Sequence, residues 1–263
     1  MKITASMPRC PSIRCLVIFL ACSALLAWNC GAQELAPNFD AFDELLLQNV
    51  RNGFVDYNGF AADERFADVV ERIGAGSPAA AAGPDSGLAF YINAYNALAI
   101  EGILKGRSPD SWWGRRGFFK RQKFLVLGEK ISLETLEHER IIPLGDPRIH
   151  FAIVCASLSC PRLSSHAYRP DRLNVQLHDA ARSFINDPTR NLFDIDRRIA
   201  FVSRIFDWYA EDFAKAGGSV QRYIARFVDN AEVQEALRGE EFELRYFEYD
   251  WHLNGHFQSK DTR

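Results

Sequence analysis

Residues 86–106, SGLAFYINAYNALAIEGILKG, carry no charge before Glu101 and are apolar nearly all round when wound into a helix. A surface helix keeps one polar face, so a helix without one has to be covered on every side. This run therefore predicts the central helix of a core, with the rest of the chain packed around it. In the middle of this run stand three polar side chains, Asn93, Tyr95 and Asn96. A buried amide costs free energy unless it is hydrogen-bonded, so these residues either tie elements together or line a pocket.

The flanks follow from the same patterning. Upstream, FDAFDELLLQNVRNG (39–53) repeats apolar residues at helical spacing and stops at Gly53, and ERFADVVERIGAG (64–76) reads as a second, shorter helix. The stretch GAGSPAAAAGPDSG is a surface connection in which Asp85 or Ser86 would cap the central helix. Downstream, RQKFLVLGEKISLETLEHERII reads as a hairpin around Gly128 leading into a helix capped by Ser132, with Glu134 in its first turn to suit the dipole. The β-branched and aromatic run RIHFAIVC (148–155) reads as a strand. RPDRLNVQLHDAARSFINDP is amphipathic, NLFDIDRRIAFVS is a second hairpin, RIFDWYAEDFAKAGG and SVQRYIARFVDN are two more helices, and FELRYFEYDWHLN closes as a strand. The fold class expected is α+β: one domain, mainly helical, with a small antiparallel or mixed sheet.

The first residues bound the compartment. Lys2, Arg9 and Arg14 precede an apolar run from Cys15 to Trp28 and small residues at Cys30 and Ala32, the pattern of a secretory leader spanning residues 1–32. The run is short beside the roughly 20 residues of a membrane span, which disfavours a retained anchor; a lipid-modified Cys22 or Cys30 is weaker still. Residues 33–263 then form the domain, with its core at about 39–254, in a secreted or periplasmic setting. Losing three cations lowers the net charge from −3 to −6, which argues against nucleic acid as a partner. Four of the six cysteines lie in the leader, leaving Cys155 and Cys160. Two thiols make no disulfide framework, so they are either paired or kept for a purpose.

Five pieces in order, FYINAYNALAI, LETLEHERI, DPRIHFAIVCASLSCPRL, IFDWYAEDF and FEYDWHLN, resemble the secreted bacterial branch of the family catalogued as domain of unknown function 547. The resemblance spans roughly Phe39 to Asn254. It points to Asn93, Tyr95, Asn96, Glu137, His138, His150, Cys155, Ser159, Cys160, Pro161, Asp250 and Trp251. The family implies no agreed catalytic residues, so roles rest on the side chains themselves.

Three chemistries compete for the cysteines. In the leading one Cys155 is a nucleophile on a small amide, thioester or peptide, and His138 is its acid and base. Glu134, four residues before His138 on the same helical face, or the adjacent Glu137, orients the imidazole. Backbone N–H groups of ASLS or the Asn96 amide would hold an oxyanion. That inventory is similar to papain-like hydrolases and acyltransferases, but His precedes Cys, an order that needs a permuted arrangement. If RIHFAIVC is extended, His150 and Cys155 fall on opposite faces, which separates them. In the second reading Cys155 and Cys160 form a structural disulfide in a binding module, whose groove is made by Asn93, Tyr95, Asn96, Ser159, Cys160 and the tryptophans, Trp251 among them. In the third, His138, both cysteines and Glu134 or Glu137 hold zinc. The expected partner is a small molecule or peptide, with no cofactor and no stable membrane span after leader cleavage. The paired Trp112 and Trp113 suit a surface role, and GRRGFFKRQK (114–123) reads as a solvated basic hairpin. His166, His178, His252 and His256 carry no spacing signal.

Overall fold

The computed structural model describes residues 39–258, all within one compact unit, Leu35–Arg263. The leader at 1–32 lies outside the described residues. The described residues hold eleven α-helices, all but α4 short or of moderate length, and eight short strands, with 3₁₀ and π turns between them; the domain is α+β as the patterning implies.

The all-round apolar run forms α4, Pro84–Leu104, with fifteen buried residues. Its N-terminus differs from expectation: Gly83, at φ 95°, is the cap, Pro84 opens the helix, and Asp85 sits in the first turn. A left-handed residue followed by proline stops the preceding chain and starts the helix in one step. Against α4 pack α1 (Phe39–Asn49), α2 (Tyr57–Ala62) and α3 (Glu64–Ala75), which place Phe42, Leu45, Phe60, Val69 and Ile73 in its cluster. The strands β1 (Val50–Arg51) and β2 (Phe54–Asp56) form a hairpin turned at Asn52–Gly53. The last strand, β8 (Gly255–His256), runs parallel to β2.

After α4 comes α5 (Trp112–Arg115), which runs on as a π turn over Arg116–Arg121. The basic segment is therefore helical and not the hairpin expected of it, because Phe118 is fully buried and only a helical turn lets that ring point inward between exposed cations. The hairpin begins one step later as β3 (Phe124–Val126) and β4 (Glu129–Ile131), joined by Leu127 and Gly128 with φ of 49° and 83°. Positive φ at both central residues matches the two-residue turn that follows strand twist. Ser132 then caps α6 (Leu133–Leu136) by accepting from the Thr135 N–H at 3.1 Å, and the helix continues as a π turn over Glu137–Ile141.

The largest departure is at RIHFAIVC. Residues Pro147–Phe151 form a 3₁₀ turn that closes at Ala152, and the chain from Ile153 to Cys155 is irregular and belongs to no strand. Asp146 caps the turn by accepting from the Arg148 N–H at 3.0 Å, and Pro147 sits at its first position. No ladder supplies the backbone beyond it; Asn96 does, donating to Ala152 O and accepting from Val154 N–H, both at 2.9 Å. A side chain of α4 thus stands where a neighbouring strand would have to be.

The C-terminal half builds a second cluster around Phe151. It uses α7 (Leu173–Ile185), α8 (Ile205–Trp208), α9 (Ala210–Gly217), α10 (Val220–Ile224) and α11 (Ala231–Arg238), together with the inner residues of β6. The expected hairpin is β5 (Leu192–Asp194) with β6 (Ile199–Val202), and β7 (Glu243–Tyr246) adds parallel to β6. Strand β7 stops at Tyr246, and the aromatic run that follows crosses to the cysteine loop through Leu158 N–H to His252 O, 2.7 Å, and Ser159 N–H to Asp250 O, 3.1 Å. No helix among the described residues is long and apolar enough to cross a membrane.

Candidate functional site

The two clusters meet at a cavity of about 770 Å³, the size of a small-molecule site. Six segments reach it: α4 at Tyr95, the α5 turn, the α6 turn, the 3₁₀ turn at His150 with the loop that follows it, α8 with Tyr209, and the aromatic run after β7.

Cys155 and Cys160 are joined in a disulfide, with Cα atoms 6.2 Å apart, and this bond forms part of the wall. Cys160 is buried and Cys155 partly exposed. Hydroxyls of Ser157 and Tyr249 surround the sulfurs: Ser157 Oγ lies 3.2 Å from Cys155 Sγ, and the Tyr249 O–H donates to Cys160 Sγ at 3.2 Å. Paired sulfurs offer neither a thiolate nucleophile nor a thiolate metal ligand, so the disulfide among the three readings is the state present.

Glu137 is buried beside them. The Tyr209 O–H donates to Oε1 and the Tyr95 O–H to Oε2 at 3.3 Å. Burial raises the Glu137 carboxyl above its ordinary range against the opposing pull of these two donors. Tyr209 and Tyr95 are pushed well above the usual phenol range, again chiefly by burial, and stay protonated donors. Glu137 thus faces tyrosines and makes no hydrogen bond to His138. The π turn beginning at Glu137 breaks the 3.6-residue spacing on which the Glu134–His138 pairing depended. Glu134 binds Lys120 at 2.7 Å instead. His138 is exposed and lines the same cavity as Cys155.

His150 also reaches the cavity wall. Its ring stacks on Tyr209 with centroids 3.8 Å apart, and Nε2 lies 2.8 Å from Asp212 Oδ2. Burial lowers its pKa to about 4, outweighing the favourable Asp212 carboxylate, so the contact is a neutral N–H donated to a carboxylate and not an ion pair at neutral pH. Nδ1 is then a bare acceptor, buried with no hydrogen-bond partner.

The part of the wall next to Tyr249 is aromatic and cationic. Trp208, Tyr249 and Trp251 form a triad with centroids 4.5–5.8 Å apart. The Arg115 guanidinium lies 4.7 Å over the Trp251 ring, and Phe119 meets its edge at 6.3 Å. Arg116 and Lys120 complete that side. Among the described residues neither Arg115 nor Arg116 pairs with a carboxylate, whereas Lys120 does.

Of the residues named from sequence, Tyr95, Glu134, Glu137, His138, Cys155, Cys160 and Trp251 come together here. Asn93 and Asn96 do not. Asn93 clamps Tyr168, donating to its carbonyl and accepting its N–H at 2.8 Å each, and Asn96 clamps the 152–154 backbone. Asn96 does not line the cavity, and its amide is committed to that backbone, so it is not placed to hold an oxyanion there. Ser159 ties the loop to the C-terminal run by accepting from Asp250 N–H at 2.8 Å. The opposite-face argument separating His150 from Cys155 falls with the strand it assumed, since both line the cavity. Sequence reasoning gave no role to Tyr209, Asp212 or Tyr249; the signal was present, since IFDWYAEDF and FEYDWHLN had been set apart as motifs. His166, His178, His252 and His256 are exposed.

Fold and site define an α+β domain with a disulfide-walled cavity lined by a buried carboxyl, two histidines and an aromatic–arginine face. Residues 81–185 match the family described as "Protein of unknown function, DUF547", the family that the motifs resemble. The matched segment holds three of the five motifs, with those around Tyr209 and Tyr249 beyond it. No curated protein and no solved structure matches the chain.

Proposed function

We propose that this is a ligand-binding protein of the cell envelope, secreted or periplasmic, whose cavity takes a small molecule or peptide bearing a ring and an acidic group. The carrying observation is the wall where Trp208, Tyr249 and Trp251 lie beside Arg115 and Arg116, two cations with no carboxylate partner among the described residues. Rings supply flat apolar contact for a sugar or aromatic face, and unpaired guanidiniums supply charge-assisted hydrogen bonds to a carboxylate or phosphate. The closed disulfide and the leader-like N-terminus support an oxidising compartment.

The test is calorimetric titration with N-acetylphenylalanine and its neutral amide. The acid is expected to bind at least about tenfold more tightly, roughly one charge-assisted hydrogen bond, and Arg115→Ala is expected to erase the difference. Equal binding of acid and amide, or an unchanged ratio in Arg115→Ala, contradicts the reading.

A thiol-dependent hydrolase or acyltransferase is the second reading, favoured by one observation: Cys155 and His138 line the same cavity. It requires the disulfide to be reduced first. Hydrolysis of an activated thioester that appears only with reductant and vanishes in Cys155→Ala would support it.

A further inference from the structure

We propose that the Cys155–Cys160 bond is a thiol–disulfide exchange centre with assigned roles, Cys155 being the sulfur attacked and Cys160 the sulfur that leaves. This goes beyond the binding reading and stands apart from whatever ligand the cavity takes.

Exchange rates depend on access to the attacked sulfur and on how well the departing sulfur carries negative charge. The structure divides these requirements between the two cysteines. Cys155 is partly exposed on the cavity wall, whereas Cys160 is 3% exposed. Hydrogen-bond donors favour the buried sulfur. The Cys155 backbone N–H donates to Cys160 Sγ at 3.0 Å, the Tyr249 O–H donates to it at 3.2 Å, and the Ser157 O–H reaches it at 3.4 Å. Around Cys155 the same two hydroxyls are the neighbours, at 3.2 and 3.4 Å, and no backbone N–H joins them. The backbone donor is fixed by the chain and cannot turn away. Burial pushes Tyr249 up to about 12, so it keeps its proton and remains a donor at neutral pH. Ser157 Oγ is also 3.3 Å from the Tyr249 hydroxyl, so when Ser157 donates to that oxygen the two form a relay ending on Cys160.

In the forward step an external thiolate, of a cysteine-containing peptide or a glutathione-like thiol, attacks Cys155 Sγ. A bond forms between the external sulfur and Cys155, the Cys155–Cys160 bond breaks, and its electron pair stays on Cys160 as a thiolate held by these donors. A second external thiolate then attacks the external sulfur of the mixed disulfide. That step releases an external disulfide and leaves Cys155 as a thiolate. The external thiols are oxidised by two electrons and the protein disulfide is reduced by two. Reverse exchange with a disulfide-bearing molecule restores the starting state.

The experiment exposes the folded full chain to excess reduced glutathione, quenches with acid at early times, and maps adducts on peptides prepared without reductant. Glutathione on Cys155 with Cys160 free is expected. Tyr249→Phe should slow disulfide loss about tenfold in the folded state, the factor for one hydrogen bond to an anionic sulfur, with no change once the chain is denatured in urea. The denatured rate separates this effect from a merely structural one. Ser157→Ala provides the second variant, with slowing in the same direction. Glutathione on Cys160, a folded disulfide that resists glutathione sufficient to reduce it in urea, or unchanged folded rates in both variants would overturn the proposal.

Discussion

Replacing Asn96 with alanine tests how the cavity is held in place. Its side chain donates to Ala152 O and accepts from Val154 N–H, both at 2.9 Å, and Asn96, Ala152 and Val154 are all at most 3% exposed. Alanine leaves two buried backbone groups without partners. Each such loss costs about 1–3 kcal/mol, so the pair should cost about 3–4 kcal/mol, a sizeable part of the 5–15 kcal/mol typical of a domain. With a urea m-value of about 3 kcal/mol/M, the midpoint should fall by about 1 M at unchanged slope. Asn96→Asp keeps the acceptor for Val154 but sets a carboxylate against the Ala152 carbonyl, so it should be no better than alanine at neutral pH. Urea unfolding followed by far-UV circular dichroism measures both. A midpoint within about 0.2 M of the parent for Asn96→Ala would refute the reasoning and return Asn96 to a role in the cavity.

The buried titrating groups make pH predictions of opposite sign. His150 has its pKa lowered from 6.5 to about 4, so its contribution is complete above the unfolded value and is lost as pH falls through the folded one. Its ring C–H resonances should move only near pH 4, and a midpoint near 6.5 contradicts the burial argument. Within that window each pH unit is worth at most about 1.4 kcal/mol. Glu137 is raised above 4.5, so its contribution is complete below that value and is lost as pH rises through the folded one. Glu137→Gln keeps an acceptor for Tyr209 but cannot ionise, so its thermal midpoint should gain on the parent as pH rises above the ordinary glutamate value; parallel curves would refute this. Opening the small Cys155–Cys160 ring by double substitution to alanine should cost about 2 kcal/mol, read from urea midpoints, and no loss would mean the loop is held by its hydroxyl contacts alone. Gly255→Ala should lower stability by more than an exposed Gly→Ala change, since a Cβ there would lie 2.1 Å from Val55 O across the β2–β8 pair. An unchanged melting temperature would contradict that pairing.

The elements legible from sequence were those whose signal is local. The all-round apolar pattern of α4, the Ser132 cap, and both hairpins needed only neighbouring residues to be recognised. RIHFAIVC misled because β-branched residues report burial as much as strand pairing; Asp146 and Pro147 start a helical turn, and Asn96, more than fifty residues upstream, supplies the hydrogen bonds a ladder would have. GRRGFFKRQK misled in the opposite way, its charges hiding one buried phenylalanine. At the site, the composition of the cavity was partly visible, because Glu137, His138, Cys155 and Trp251 stand in distinct motifs. Who bonds whom was not. Glu137 meets Tyr209 across seventy-two residues and Cys160 meets Tyr249 across eighty-nine, and no spacing rule spans such distances.

The central claim is that Cys155 carries no free thiol in the native protein, so the cavity binds before it cleaves. The direct measurement is peptide mass mapping of the native protein, denatured in iodoacetamide without reductant. The account predicts Cys155 and Cys160 linked and two hydrogens lighter than the dithiol, with neither alkylated. Carbamidomethyl groups on both would contradict it and put the thiol hydrolase first.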